Sequence, residues 1–509
     1  MPHSVPLVTT LADIYANDLL WHGARYQSLT EEFIKIYGAK PDFIARAPGR
    51  VNIIGEHIDY CGFPVFPMAI VPDCLIAVRA TDGCTVKLCN VCPRFGAYEF
   101  QYQPDDIVTI DQSSHEWANY FKCGYTGALK AIGSTNSVGM QCLMDGSVPI
   151  SVGLSSSSAF VCCAVLATMK ANGNVLPQEG VVEASVASER YIGTNGGGMD
   201  QTASIMSRAQ SAAFIEFHPA LRVTPVKLPD TSPPFTFVVA NTMVASDKAV
   251  TAPVRYNLRV VETRIGALML ARHLGISGRT ECQSAAQLTY KIVMDTYFSV
   301  YPNDGSEVDA EGTAVVGKWT MQLTTMLDML KDLFGSRPQG FTFEECANCL
   351  DISTNDLLKL IQADRFPVRA KHFKLLQRAQ HVFSEALRVA KFRQVCESAS
   401  MVADSFAALG DLMNQSQDSC RDLYECSCPE LDELCAIARR VGSFGSRLTG
   451  AGWGGCSVHL VHQDMRDRFI ASLKQQYYAK YFPNLNDDDL GQAIFATTPS
   501  SGAAIFVFD

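Results

Sequence analysis

Apolar positions along the chain follow two periods. Alternation marks strands in CLIAVRAT, TVKLCNV and AYEFQYQ between residues 74 and 109. Shorter apolar runs mark strands at Phe43 to Arg46, Val51 to Ile54 and Val65 to Ile70, with Ala47-Pro48-Gly49 and Cys61-Gly62 as turns between them. Helical spacing of Leu20, Ala24, Leu29, Phe33 and Ile34 predicts a helix within 11–36. Trp117, Tyr120 and Tyr125 predict a second helix, Ala159 to Met169 a buried one, and 179–192 another. Strand signals return in AAFIEF, VKLP and FTFVVAN, after which helices dominate: 248–273, 317–333, 341–349, 353–363, 369–397, 400–417 and 429–441. Pro367 breaks the run before the fifth of these. Residues 301–315 are polar and turn-rich and read as a surface insertion, and QAIFATTP and AAIFVF close the chain as two strands.

This pattern predicts an α/β (α+β) protein of two domains. An N-terminal extension with a helix covers 1–40, a first domain 41–235 and a second 236–509. At 509 residues, 47% hydrophobic and 18% charged, the chain can bury a substantial core. A net charge of -10 argues against non-specific nucleic-acid binding but leaves room for an anion held by backbone amides. No apolar stretch is long enough to span a bilayer, and MPHSVPLVTTLADIY lacks the basic start and apolar core of a secretory signal, so a cytoplasmic protein with reduced thiols is expected. The 18 cysteines do not form a metal pattern. Cys162 and Cys163 read as small core residues, and the Cys420, Cys426, Cys428 and Cys435 cluster lacks zinc-knuckle spacing.

Chemistry concentrates in four stretches. In ISVGLSSSSAF, Gly153 permits a tight turn, and Ser155, Ser156, Ser157 and Ser158 lead into an apolar helix. A helix N-terminus with orphan amides favours a polyanion; the plainer alternative is a serine-rich cap on a core helix. Between Gly55 and Gly62, the side chains of Glu56, His57, Asp59 and Tyr60 suit a polyhydroxylated ligand, against the alternative of a solvated turn. GTNGGGMDQ delivers Asp200 at a helix entry, either as a first-turn stabiliser or as a catalytic carboxylate on a rigid element. GSFGSRLTGAGWGGC precedes a strand and fits neither the Walker loop nor the Rossmann fingerprint.

Taken together, GRVNIIGEHIDYCGFPVFPMA, GLSSSSA and GSRLTGAGWGGC resemble, in order, the three signatures of the GHMP kinase superfamily and its galactokinase family. The resemblance runs from about Phe43 to the C-terminus. SERYIGTNGGGMDQ, VCCA and SCRDLYECSCPELDEL are most similar to the N-acetylgalactosamine kinase branch of the eukaryotic galactokinases. The N-terminal stretch and the insertion near 303–313 depart from that branch without touching the motifs.

The resemblance implies a two-domain GHMP-kinase-like fold with the active site in the interdomain cleft, and ATP-dependent phosphorylation of the C1 hydroxyl of a galactose-type sugar, galactose or N-acetylgalactosamine. It implies that Arg50, Glu56, His57 and Asp59 hold the sugar, that Asp200 lies beside the C1 hydroxyl, and that Tyr256 approaches the ring. Gly153, Ser155, Ser156 and Ser157 would wrap the ATP phosphates, Ser157 and Glu189 would contact Mg2+, and Asp247 and Lys248 fall in a stretch associated with nucleotide. Arg50 would keep Asp200 ionised yet a weaker base, which leaves open general base or electrostatic positioning. The competing reading is a catalytically weak sugar- and ATP-sensing regulator of the same fold; intact GLSSSSA and Asp200 favour the enzyme. Such kinases are often monomers, and a monomer is the expectation here.

Overall fold

The computed structural model describes residues 3–102, 108, 110, 116–134, 137–192, 196–244, 251–279, 287–302, 313–335, 337–362, 367–398 and 402–508. Asp247, Lys248 and most of the 301–315 insertion lie outside the described residues. The chain divides into two compact units: Met1–Val51, Pro67–Ala213 and Thr497–Asp509 form the first, and Asn52–Phe66 with Phe214–Ala496 the second. The units therefore interleave along the chain, where the sequence reading sets a single break near residue 235.

A sheet of seven strands organises the first unit: β1 (Leu7–Val8), β2 (Phe43–Ile54), β3 (Phe66–Thr81), β4 (Thr85–Asn90), β5 (Tyr98–Gln101), β6 (Gly139–Gly146) and β13 (Ala504–Val507). Their order is β1-β13-β2-β3-β6-β4-β5. C-terminal β13 enters antiparallel to β2, with Ala504 opposite Arg46 and Ile505 opposite Ala45. β2 is one continuous strand, buried at every position, so the turn expected at Ala47-Pro48-Gly49 does not form. Proline's fixed φ is compatible with extended backbone, and a Cβ on Gly49 would lie 2.9 Å from the Leu154 carbonyl oxygen. Glycine is placed there for close approach rather than for turning.

Helices α1 (Leu19–Tyr37), α2 (Trp117–Ala131), α3 (Ser156–Ala171), α4 (Gln178–Glu189) and α5 (Met199–Met206) complete this unit. α3 is apolar nearly all round and packs against α2, α4 and α5, as a fully enclosed helix must. Cys163 on α3 donates its thiol to the Ala45 carbonyl on β2, the small-residue core role expected for it. α1 buries the expected Leu29 and Phe33 in its C-terminal half, but its N-terminal half turns a different face inward. His22, Tyr26, Leu29 and Phe33 are buried, whereas Leu20 is 92% exposed and Ala24 is exposed as well. The cause lies outside the helix: His22 stacks on Tyr15 at 3.4 Å between ring centroids, and Arg25 reaches Asp73 and Asp145.

β7 (Ser211–Glu216) and β8 (Arg222–Lys227) form a two-stranded sheet, and the second unit pairs a four-stranded sheet with a helical array. β9 (Phe235–Asn241), β10 (Gly445–Thr449), β11 (Cys456–His462) and β12 (Ile494–Thr497) run in the order β10-β11-β9-β12. β10 and β11 form a hairpin with Thr449 opposite Cys456, so the glycine-rich stretch 450–455 is its loop. The long helices are α6 (Tyr256–His273), α7 (Tyr290–Val300), α8 (Thr313–Phe334), α11 (Leu375–Glu397) and α12 (Val402–Asp422), with shorter α9 (Phe343–Leu350), α10 (Thr354–Leu360) and α13 (Pro429–Arg440). α11 packs on α6, α8 and α12 and forms the spine of the array. Among the described residues, no helix is long and apolar enough to cross a membrane.

Candidate active site

In the first unit, three separate sequence stretches converge on one carboxylate. Gly198, with φ +100°, is the N-cap of α5 and places Asp200 in the first helical turn. Arg50, near the end of β2 and 2% exposed, directs Nε and Nη2 to the same carboxylate oxygen, Oδ1 of Asp200, each at 2.7 Å. Its Nη1 donates to the Gly153 carbonyl at 2.7 Å. One guanidinium thus bonds the carboxylate and the serine loop together, a use of the rigid fork that lysine would not reproduce. The second oxygen, Oδ2, accepts the Ser155 hydroxyl at 2.6 Å.

The loop itself runs through Gly153 at φ +84° and Ser155 at φ +57° into α3. Ser155 is the N-cap of α3, yet its side chain makes no capping bond. An N-cap serine ordinarily accepts from a first-turn amide, so spending this hydroxyl elsewhere leaves those amides for another acceptor. Ser156 is half-buried and Ser157 exposed, at the start of the helix where an anion is favoured. Glu189 ends α4 and is half-buried. Burial, with smaller contributions from the charges of Glu189 and Asp200, pushes the Cys162 thiol on α3 up.

The stretch Gly55 to Gly62 belongs to the second unit. Glu56 is buried, and its Oε2 takes Arg447 Nη2 at 2.9 Å. Its backbone is pinned too, by His381 Nε2 at 3.1 Å from the carbonyl and by Glu385 Oε1 accepting from the amide at 3.3 Å. His57 adopts φ +62° and contacts protein through both ring nitrogens. Nε2 lies 3.0 Å from the Ala451 carbonyl, which can only accept, so the neutral ring carries its proton there. Nδ1 then accepts from the Tyr60 hydroxyl at 2.9 Å, and Tyr60 in turn accepts from Tyr424 at 2.7 Å. Burial pushes both phenols up, so they stay protonated. Tyr256 opens α6 with its ring centroid 5.7 Å from that of His57. Asp59 is half-buried in the turn that follows.

The glycine loop is shaped by residues between α12 and α13. Trp453 donates its amide to the Cys426 carbonyl at 2.7 Å and its indole N–H to the Glu425 carbonyl at 2.9 Å. A Cβ on Gly452, whose φ is +78°, would sit 2.1 Å from the Cys426 carbonyl oxygen. Tyr424, Glu425, Cys426 and Arg447 therefore contact the candidate residues or the glycine loop, and sequence reasoning did not single them out for that role. Tyr424 to Cys426 lie in SCRDLYECSCPELDEL, and Arg447 lies in the glycine motif itself, so the signal was proximity to motifs. His381 and Glu385 carry no sequence signal, being polar residues on the buried side of a long helix.

Three family models match the chain: the galactokinase galactose-binding signature over residues 31–80, the GHMP kinases N terminal domain over 119–208 and the GHMP kinases C terminal over 398–479. The galactokinase of Saccharomyces cerevisiae is 40% identical over 502 residues, covering 94% of each chain. The galactokinase of Dictyostelium discoideum is 36% identical over 521 residues, covering 98% of this chain and 97% of that one. Among solved structures, Lactococcus lactis galactokinase complexed with galactose shares the fold with a TM-score of 0.66 at 24% identity, covering 94% of this chain and 99% of that one.

Proposed function

The chain belongs to the galactokinase family of GHMP kinases, ATP-dependent sugar kinases, and on that premise we propose how its residues transfer a phosphoryl group to the C1 hydroxyl of a galactose-type sugar. The observation that carries this reading is the single guanidinium shared by Asp200 and the serine loop, with 2.7 Å contacts to both. It couples the group that would meet the acceptor to the loop that would hold the donor.

Phosphoryl transfer asks the protein chiefly for in-line positioning and charge compensation. Asp200 orients the C1 hydroxyl and takes its proton as that oxygen bonds to the γ-phosphorus and the bond to the ADP oxygen breaks. Because the Arg50 guanidinium already occupies Oδ1, we place proton transfer late, once the sugar oxygen is already bonding to phosphorus. The uncapped first turn of α3 suits the phosphates, with Gly153, Ser156 and Ser157 along it. Ser157 and Glu189 are the oxygen ligands we assign to Mg2+, which neutralises phosphate charge when bound. An ion of this kind would be held by one or two protein oxygens together with phosphates.

Glu56, His57, Asp59 and Tyr256 are assigned to the sugar. Glu56 and His57 are already bonded to Arg447 and Ala451, so their contribution is a fixed polar surface rather than a mobile grip. Asp247 and Lys248 keep their expected nucleotide role as part of the proposal. Similarity to the yeast and Dictyostelium galactokinases supports galactose as acceptor, whereas the resemblance of SERYIGTNGGGMDQ, VCCA and SCRDLYECSCPELDEL to the N-acetylgalactosamine kinase branch bears on ancestry more than on the acceptor. A side-by-side assay of the two sugars decides, with phosphorus NMR to place the new phosphate at C1. Asp200→Asn is expected to lower turnover by at least about a thousandfold with small changes in either KM. Near-normal turnover in that variant would overturn the assignment.

A further inference from the structure

Sequence places Ser155 with the ATP phosphates, and the structure gives its hydroxyl a different partner. We infer that Ser155 is a positioning residue for Asp200: its hydroxyl fixes the orientation of the carboxylate that receives the sugar hydroxyl and leaves the phosphates to the loop's amides. The inference rests on the reading of Asp200 given above.

Three observations carry it. Ser155 Oγ lies 2.6 Å from Oδ2 of Asp200, a short bond to a charged acceptor, and the residue is only 9% exposed. Ser155 occupies the N-cap of α3 but makes no side-chain cap, so the hydroxyl has been withdrawn from the use that position normally gives it. Its backbone is left-handed at φ +57°, a conformation that costs a non-glycine residue free energy. A glycine at this position would avoid the strain; a serine there gains only through its side chain.

Arg50 and Ser155 hold different oxygens of the same carboxylate, and Arg50 is itself tied to Gly153 two residues before Ser155. The plane of the carboxylate is therefore set from both sides by one loop and one strand. A carboxylate held by a single donor can swing about χ1 and χ2; held by two, it presents a fixed lone-pair direction to the incoming hydroxyl. Each donor removes orientational freedom that would otherwise have to be lost in the transition state.

The test compares Ser155→Ala and Ser155→Gly with the parent chain, measuring kcat and the KM for galactose and for ATP. ATP binding is measured separately by calorimetry. Both variants are expected to lose about tenfold in kcat while ATP affinity and its KM change by less than about twofold. The glycine variant relieves the left-handed strain, so it serves where alanine impairs folding and separates strain from the hydroxyl. Near-parental kcat in the glycine variant would overturn the inference, as would tenfold weaker ATP binding at unchanged kcat, which would return the hydroxyl to the phosphates. Failure of the wider reading shows elsewhere, as retained turnover in Asp200→Asn.

Discussion

Asp73 anchors a buried ion-pair cluster in the first unit, and its removal should be costly. It lies on β3 with no side-chain exposure, and three donors reach it: Tyr15 Oη at 2.6 Å, Arg25 Nη1 at 2.5 Å and Arg46 Nε at 2.7 Å. Burial alone would raise its pKa, but the two guanidinium groups and the phenol outweigh burial and hold the carboxyl at about 2, from an ordinary 3.8. The folded value lies below the unfolded one, so this stabilisation is fully present above pH 3.8 and is lost as pH falls through about 2. The difference corresponds to roughly 2.5 kcal/mol. Asp73→Asn acts at every pH and leaves Arg46, also unexposed, as a buried cation without its counter-charge, so a loss of about 3–5 kcal/mol is expected near neutrality. That is a large share of a domain stability of about 5–15 kcal/mol.

The same cluster supports both elements that carry the candidate site in the first unit, strand β2 and helix α5. Arg46 Nη1 donates to the Ser501 and Gly502 carbonyls at 2.8 and 2.7 Å, and the Gly502 amide bonds the Ser207 carbonyl at 2.8 Å, directly after α5. Loosening Arg46 therefore disturbs β2 four residues before Arg50 and the end of the helix that carries Asp200. Urea denaturation of the parent chain and Asp73→Asn near neutral pH measures the cost, and kcat measured well below the midpoint reports the site. A change under about 0.5 kcal/mol would refute the account, since surface substitutions away from such networks cost no more than that.

Three further outcomes follow from the second unit. Gly452→Ala, which drives a Cβ to 2.1 Å from the Cys426 carbonyl oxygen at a φ of +78°, should lower stability by roughly 2–4 kcal/mol in thermal or urea unfolding; an unchanged midpoint would show that the loop yields freely. Glu56→Gln leaves Arg447, which has no side-chain exposure, without its anion, and about 3 kcal/mol should be lost, whereas a loss below about 1 kcal/mol would mean that Arg447 is otherwise compensated. His381 is pushed down to about 4, chiefly by burial, from an ordinary 6.5, so its folded form binds a proton less readily than its unfolded form. Its contribution is present above pH 6.5 and declines as pH falls towards 4; a His381→Gln variant should show a flatter loss of stability across that window, and an identical slope would exclude the residue.

What the chain determined by itself was local and chemical. Periodicity was enough to find α3 as a buried helix and the alternating strands β3 to β5, because burial on one face or all round leaves its mark on every residue of a segment. The glycines and serines around Gly153, Gly198 and Gly452 were legible because left-handed backbone and close approach restrict the residue type. Arg50, Asp200 and the serine loop were legible as a constellation only through their order in a family pattern. Their meeting is a tertiary fact, since residue 50 reaches residue 200 only once β2 and α5 are packed.

Tertiary structure alone decided the rest. The face α1 turns inward follows from Tyr15 and Asp73, which lie outside its own periodicity, so Leu20 is left exposed and His22 buried. Pro48 and Gly49 look like a turn but sit within a continuous strand, because turn propensity is a local preference and seven-stranded pairing overrides it. The bond from Ser155 to Asp200 could not be read at all: a hydroxyl beside a helix start has several acceptors within reach, and only the placement of α5 selects one. Sequence specifies which groups are available; packing chooses their partners, because hydrogen bonds and ion pairs depend on ångström distances between segments far apart in the chain.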